Sequence, residues 1–266
     1  MRAALPAGVV VTGSRCVGVQ QSVDDLVEAS FDDGSSVRGR ALIAADGQRS
    51  LVRATLFGGH KLHDCRYVGW RGMAPQPAGS GWHEFAGESW GPGGRFGVLP
   101  ISGQRVSWYA ATRTCRPANR KAELLEHFGD WHDPIPLLLD ATREGDIWCD
   151  EIHDLWPFPR WSVGLITLLG DAAHPMTPEL GQGACQAILD AWALSEALAI
   201  EPAAALAFRR YERNRRARAR FVAAVARIAA VVGRADHTLT RALRAQATKL
   251  LLEPTFLRTL HAVVKG

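Results

Sequence analysis

The sequence predicts a mixed α/β fold, in which an α/β core is interrupted by a mostly antiparallel β-rich segment and followed by helices. Three observations carry this. From Leu165 to Asp190 an apolar run ends at Gly170-Asp171, a small-residue loop with Pro175, Pro178 and Gly181-Gln182-Gly183 follows, and helical spacing then begins. That is the order strand, turn, loop, helix. Residues 60–150 are rich in Gly, Pro and Trp and carry short alternating runs. From Pro202 onward the pattern is helical, and Pro suits a first helical position.

In chain order, Val9-Val10-Val11 reads as a short β-branched strand. Val17 to Gln21 can pair with Leu26 to Phe31. The turn signal Asp32-Asp33-Gly34-Ser35 then predicts a hairpin with Val37 to Arg40. Ala41 to Ala45 is apolar without alternation, as in a buried strand, and ends at Asp46-Gly47. Ser50 can cap a helix that begins Leu51-Val52-Arg53. In the β-rich part, runs such as Tyr67 to Gly72 and Val106 to Ala110 predict strands, and Lys121 to Phe128 a helix. Beyond the loop at Gly181, residues Ala184, Ala187, Ile188, Ala191, Leu194 and Leu198 recur at helical spacing as one apolar face. A second stripe is Phe221, Val222, Val225, Ile228, Ala229 and Val232, before Gly233. A further helix is expected from Asp236 to Leu252, stopped by Pro254. The composition shifts divide the chain into 1–59 and 156–200 as two parts of one domain, 60–155 as an inserted domain, and 201–266 as a helical region.

Hydrophobic residues make up 47% and charged residues 22%, the balance of an ordinary globular chain rather than a disordered or fibrous one. No apolar run is long enough to span a bilayer, and Pro6 interrupts any secretory core. The 5 cysteines are scattered and odd in number. That pattern suits the cytoplasm and argues against a disulfide framework or structural zinc. Net charge is +4, with much of the basic excess between Arg209 and Arg220. A solvated helix face accounts for it more readily than nucleic acid, because aromatic interleaving is limited to Tyr211 and Phe221.

Two separated stretches resemble one family. Ala44-Ala45-Asp46-Gly47-Gln48-Arg49-Ser50-Leu51-Val52-Arg53 resembles the DG motif of FAD-dependent aromatic monooxygenases of the p-hydroxybenzoate hydroxylase type. Gly170-Asp171-Ala172-Ala173-His174, with Pro178 and Gly181-Gln182-Gly183, resembles their GD motif. The second stretch is most similar to the branch holding urate, hydroxynicotinate and salicylate hydroxylases and zeaxanthin epoxidase. Ala44, Glu179 and Leu189 depart from the family's usual residues. The fold implied is a Rossmann-like FAD/NAD(P)-binding domain with an inserted antiparallel substrate domain and C-terminal helices. That family opens with a βαβ unit carrying G-x-G-x-x-G. Nothing before Ala41 supplies it, so the FAD-binding domain reads as N-terminally incomplete. Gly79-Ser80-Gly81 is a G-x-G in a loop-rich stretch, and Gly181-Gln182-Gly183 belongs to the other motif.

The resemblance implies FAD as cofactor, NADH or NADPH as electron donor, and dioxygen as co-substrate. It implies hydroxylation or epoxidation of a small aromatic or heteroaromatic compound through a flavin C4a-hydroperoxide. Asp171, with Gly170, would hydrogen-bond a ribose or ribityl hydroxyl. Gly181, Gln182, Gly183 and Ala184 would bring helix-start N–H groups to the flavin's pyrimidine edge, where reduced flavin is negative. Pro178 would line the oxygen-activating side of the ring. Asp46 and Arg53 would sit near the pyrophosphate and the nicotinamide route. Arg71, beside Trp70 and Gly72, could bind a substrate carboxylate or anionic ring, with a plain surface arginine as the alternative. His174 reads as a histidine packed under the turn. The tryptophans divide between core packing and an aromatic-lined pocket.

Other patterns point elsewhere with less force. Gly87-Glu88-Ser89-Trp90-Gly91 fits G-x-S-x-G, but Pro92-Gly93-Gly94 follows where a nucleophile elbow needs a helix. His60, His63, Asp64 and Cys65 lack a second ligand pair at zinc spacing. A different class of function also stays open. The missing G-x-G-x-x-G unit suits a truncated or degenerate relative that holds no FAD alone and serves as a binding or partner protein.

Overall fold

The computed structural model describes residues 4–22, 24–59, 61–76, 86–156 and 158–233. The helix expected from Asp236 to Leu252, the Gly79–Gly81 stretch and His60 lie outside the described residues. The class is mixed α/β, as expected. The chain divides into two compact units, Met1–His63 with Asp154–Arg227, and Asp64–His153 with Ile228–Gly266.

In the first unit, β1 (Cys16–Gln21), β2 (Val27–Phe31) and β3 (Ser36–Gly39) form an antiparallel sheet in that order. The turn signal at Asp32–Ser35 closes the second hairpin, where Asp33 Oδ1 accepts from the N–H and the hydroxyl of Ser35. Val9 to Val11 are exposed and form no strand. A β-branched run needs a neighbour to pair with, and none is present there among the described residues.

The second sheet of this unit runs β10 (Ser162–Val163), β11 (Ile166–Leu168), β4 (Leu42–Ala44). β11 lies parallel to β4, pairing Ile166 with Leu42 and Leu168 with Ala44. Parallel strands need a long crossover, and here the whole β-rich segment serves as that connection. Helix α1 (Leu51–Phe57) starts where its cap predicts. Ser50 Oγ accepts the Arg53 N–H at 2.9 Å, a bond whose loss typically costs about 1 kcal/mol.

Helices α4 (Gly183–Ile200) and α5 (Ala204–Gly233) follow. Their buried faces differ from the apolar stripes read in the sequence. α4 buries Gln186, Asp190, Leu194 and Ala197, while Ile188 and Trp192 are 61% and 67% exposed. The polar side turns inward because Asp190 finds charged partners there. In α5 the buried line is Arg215, Ala219, Val222, Ala226 and Ala230, with Phe221, Ile228 and Val232 outside. Leu168, Ala172, Phe208 and Tyr211 share the core of the first unit. Each fully buried large side chain of this kind contributes about 1.5–3 kcal/mol.

The second unit is built on a five-stranded sheet ordered β6 (Gly87–Gly91), β7 (Gly94–Ile101), β8 (Arg105–Thr112), β5 (His63–Pro75), β9 (Ile147–Asp154). β5 alternates cleanly, with Trp70, Gly72 and Ala74 buried and Arg71 and Met73 exposed. The inner face packs on α2 (Arg120–Phe128) and α3 (Ile135–Ala141) through Phe96, Trp108, Phe128 and Leu138. The indoles of Trp70 and Trp108 donate to Thr112 and Thr142 at 2.7 and 2.9 Å. Those two tryptophans are therefore core residues with satisfied N–H groups. Cys115 and Cys149 stand side by side in the second unit, their Cα atoms 6.7 Å apart across 34 residues of sequence. No described helix is long and apolar enough to cross a membrane.

Candidate functional site

β11 delivers Asp171 to solvent. After Leu168 and Leu169 the chain makes a single tight turn, Gly170–Ala172. Gly170 has φ +60°, and a Cβ there would lie 3.0 Å from Ala187 Cβ on α4. The turn is thus pressed against the helix, and only glycine meets both conditions. Asp171 is exposed, and its carboxylate takes no hydrogen bond from the described residues. The turn lifts it clear of the core.

The loop then returns to the start of α4. Pro178 is exposed and opens a short turn ended by Gly181 at φ +61°. Nothing lies within 4 Å of a Cβ placed on Gly181. Gln182 precedes α4 and makes no side-chain cap, so among the described residues the first N–H groups of the helix, from Gly183 and Ala184, have no side-chain acceptor. A Cβ on Gly183 would sit 3.9 Å from Asp171 Oδ1. Asp171 and the helix start therefore share one small surface, with a carboxylate and bare N–H groups side by side. A ligand that donates hydroxyls and carries negative charge matches this pairing.

Under the loop is a buried ionic network. Asp190 Oδ2 accepts from Gly170 N at 3.2 Å and pairs with His174 Nε2 at 2.5 Å. Asp190 Oδ1 accepts from Arg215 Nε at 2.9 Å, and Arg215 also donates to Gln186 Oε1 at 2.6 Å. Burial pushes the Asp190 carboxyl upward, but hydrogen bonds and charge from His174 and Arg215 outweigh it and hold it below its usual value. His174 is thus a packed, paired histidine, as read. Sequence spacing gave no sign of Asp190 or Arg215. His174 Nδ1 and Thr177 Oγ1 are buried without a hydrogen-bond partner among the described residues.

The two sequence motifs meet through Arg53. It is 3% exposed, and its guanidinium donates to the carbonyls of Ala172, at 2.8 Å, and Gln48. Burial lowers its pKa from the ordinary value, with the nearby Asp46 charge opposing. The guanidinium thus ties the two motif loops together through their carbonyls. Asp46 is exposed, and its carboxylate accepts the Val52 N–H at 3.2 Å at the start of α1.

In the second unit, Arg71 lies on the open face of the sheet, in a solvent-exposed pair with Asp150 at 2.7 Å. Its neighbour in register is Tyr109 on β8, which in turn faces Gly97 on β7, and Gly97 faces Glu88 on β6. A Cβ on Gly97 would meet the Tyr109 ring at 2.1 Å, so the ring lies flat over that glycine. Burial first, then the Glu88 charge, pushes the Tyr109 phenol up to about 12. Arg95 pairs with Glu88 at 3.3 Å. The row Arg71, Tyr109, Glu88, Arg95 was invisible in sequence except for Arg71, because strand register assembles it. Ser89, the centre of the G-x-S-x-G, sits within β6 and contacts His132 at 2.7 Å; no strand-to-helix elbow forms there.

Residues 10–226 match the model of a family described as FAD binding domain. The chain is 39% identical over 224 residues to an aurachin C monooxygenase/isomerase of Stigmatella aurantiaca, covering 82% of this chain and 58% of that protein. It is 36% identical over 234 residues to a 6-hydroxynicotinate 3-monooxygenase of Bordetella bronchiseptica, covering 82% and 60%. The chain thus spans less than two thirds of these relatives' length. The structure of Klebsiella pneumoniae HpxO complexed with FAD and uric acid superposes with a TM-score of 0.86 at 28% identity, over 96% of this chain and 67% of that one.

Proposed function

We propose, since the chain belongs to the FAD binding domain family, that its first unit holds the flavin half of FAD. We propose further that its second unit offers the face on which a small aromatic or heteroaromatic substrate is oxygenated. The observation that carries this is the closeness of the Asp171 carboxylate, which takes no hydrogen bond from the described residues, to the start of α4, which has no side-chain cap. When bound, the cofactor supplies activation of dioxygen and transfer of one oxygen atom, with NADH or NADPH as electron source.

The residues present fit that group. Asp171 would accept hydrogen bonds from the hydroxyls of a ribityl chain. The N–H groups of Gly183 and Ala184, with the helix dipole behind them, stabilise negative charge at the ring's pyrimidine edge. The open space at Gly181 admits a flat ring close to backbone, and Pro178 presents an apolar edge without a competing donor. Asp46 steadies the neighbouring motif, while Arg53 holds the two motif loops together.

On the substrate side, the Tyr109 ring provides a flat surface, and Arg71 provides a cation for an anionic ring or carboxylate. The relative named as a 6-hydroxynicotinate 3-monooxygenase, and the complex with uric acid, support a small, electron-rich heteroaromatic substrate for this chain as well.

The test is flavin titration. Added FAD should lose fluorescence on mixing with the protein, and Asp171→Ala should weaken that binding by about tenfold or more, the worth of a charge-assisted hydrogen bond. Undiminished flavin affinity in the variant would remove Asp171 from the site. Arg71→Ala should raise substrate KM while leaving flavin content unchanged; equal loss of both would assign Arg71 a structural role.

A further inference from the structure

Along α5, Arg209, Arg213, Arg216 and Arg220 recur at intervals of four, three and four residues, which places them on one helix face. The row spans about 16 Å at the helical rise. With Arg160 and the β10 turn opposite, it lines a cavity of about 770 Å³. Among the described residues Glu212 is the one acid in that lining, and it is already committed. Its carboxylate pairs with Arg216 at 2.9 Å and accepts the Ser162 N–H at 3.1 Å. Arg216 also donates to the Pro159 carbonyl. Arg160, Arg209, Arg213 and Arg220 have no acid or hydrogen-bond partner among the described residues.

Four unmatched guanidiniums around one concavity repel one another and focus a positive potential into it. The groove is also separate from the flavin site. It adjoins the turn at Gly164, which leads into β11, whereas Asp171 follows the far end of that strand. Among the described residues no aromatic side chain lines it, so they offer no platform for stacking a base. Guanidinium forks match phosphate oxygens two at a time, and a row of this length fits several phosphates better than one.

We infer that this groove binds a small anion carrying two or more phosphate groups, recognised through its phosphates alone. Occupation would link β10 to α5 and stabilise the first unit by mass action.

The test uses the full chain and inorganic tripolyphosphate, followed by calorimetry at low salt, and requires no flavin. Tripolyphosphate should bind at least tenfold more tightly than orthophosphate and raise the unfolding temperature. The exposed double variant Arg209→Ala/Arg213→Ala should lose about tenfold or more of that affinity, at roughly the worth of one to two charge-assisted hydrogen bonds. Arg38→Ala, which removes an arginine paired with Glu28 elsewhere, should bind as the parent does. Affinity unchanged in the double variant, or equal for the two phosphates, would overturn the inference. So would retention on phosphatidylglycerol vesicles or duplex DNA without tripolyphosphate binding, which would reassign the row to an extended charged surface.

Discussion

The backbone N–H of Gly170 donates to the carboxylate of Asp190 across 3.2 Å and twenty residues of sequence. The turn that presents Asp171 is therefore fastened to α4 by a side chain that never reaches solvent. The same carboxylate holds His174 of the loop and Arg215 of α5. One buried anion thus joins a strand end, the following loop and two helices.

Replacing that anion tests its importance. Asp190→Asn keeps the shape and leaves Arg215 buried without its counter-charge. Removing one partner of a buried pair costs about 3 kcal/mol or more. In a chain of this size that lowers Tm by roughly 6–12 °C. Thermal unfolding checks it. A shift under about 2 °C would show that Gln186 and water replace the carboxylate adequately.

The pH dependence follows from the direction of the shift. Asp190 is held below its usual value in the folded chain, whereas an unfolded aspartate titrates near about 3.9. The unfolded state then binds the proton more readily, so the network's contribution is fully present above the unfolded value. It is lost as pH falls through the folded value. Denaturant titrations should show a stability gap between the parent and Asp190→Asn that is constant above about pH 5 and narrows below about pH 4. A gap that widens on acidification would contradict the assignment.

How much of this was legible depended on range. The hairpin at Asp32–Ser35, the Ser50 cap and the strand–loop–helix around Gly170 are local, and residues a few positions apart specify them. The face of α4 was misjudged because periodicity counts apolar side chains, and here Gln186 and Asp190 go inward to meet Arg215, 25 residues from Asp190. Helix α3 went unread because Pro134 and Pro136 look like breakers; at a helix start they are tolerated. Arg53 drew attention as a motif residue, but only burial shows that its donors face inward. Tyr109 gained its neighbours Arg71 and Gly97 from strand register, which no single stretch encodes.

Gly170 offers a separable test. Gly170→Ala forces a side chain into left-handed backbone and brings its Cβ to 3.0 Å from Ala187. The conformational part costs about 1–2 kcal/mol, and the contact adds to it. Pairing the change with Ala187→Gly removes the contact but leaves the strain. Because a glycine inside α4 itself costs about 1 kcal/mol, the comparison is with Ala187→Gly alone: on that background Gly170→Ala should cost less in denaturant unfolding than it does in the parent. No cost on that background would mean that the positive φ carries no penalty here, and an undiminished cost would mean that Ala187 yields freely.

The Tyr109 phenol gives the last test, on the open face of the second unit. Burial is the larger cause of its elevation to about 12, and the Glu88 charge adds to it. An unfolded tyrosine ionises near about 10, so the fold favours the neutral phenol. That contribution is complete below the unfolded value and disappears as pH rises through the folded one. Ultraviolet titration of phenolate should show a late component near pH 12, absent from Tyr109→Phe. Removing the negative neighbour should bring it down, so in Glu88→Gln the component should titrate earlier. If that variant leaves the curve unmoved, the elevation is desolvation alone, and the Glu88–Tyr109 contact contributes nothing to the electrostatics of that face.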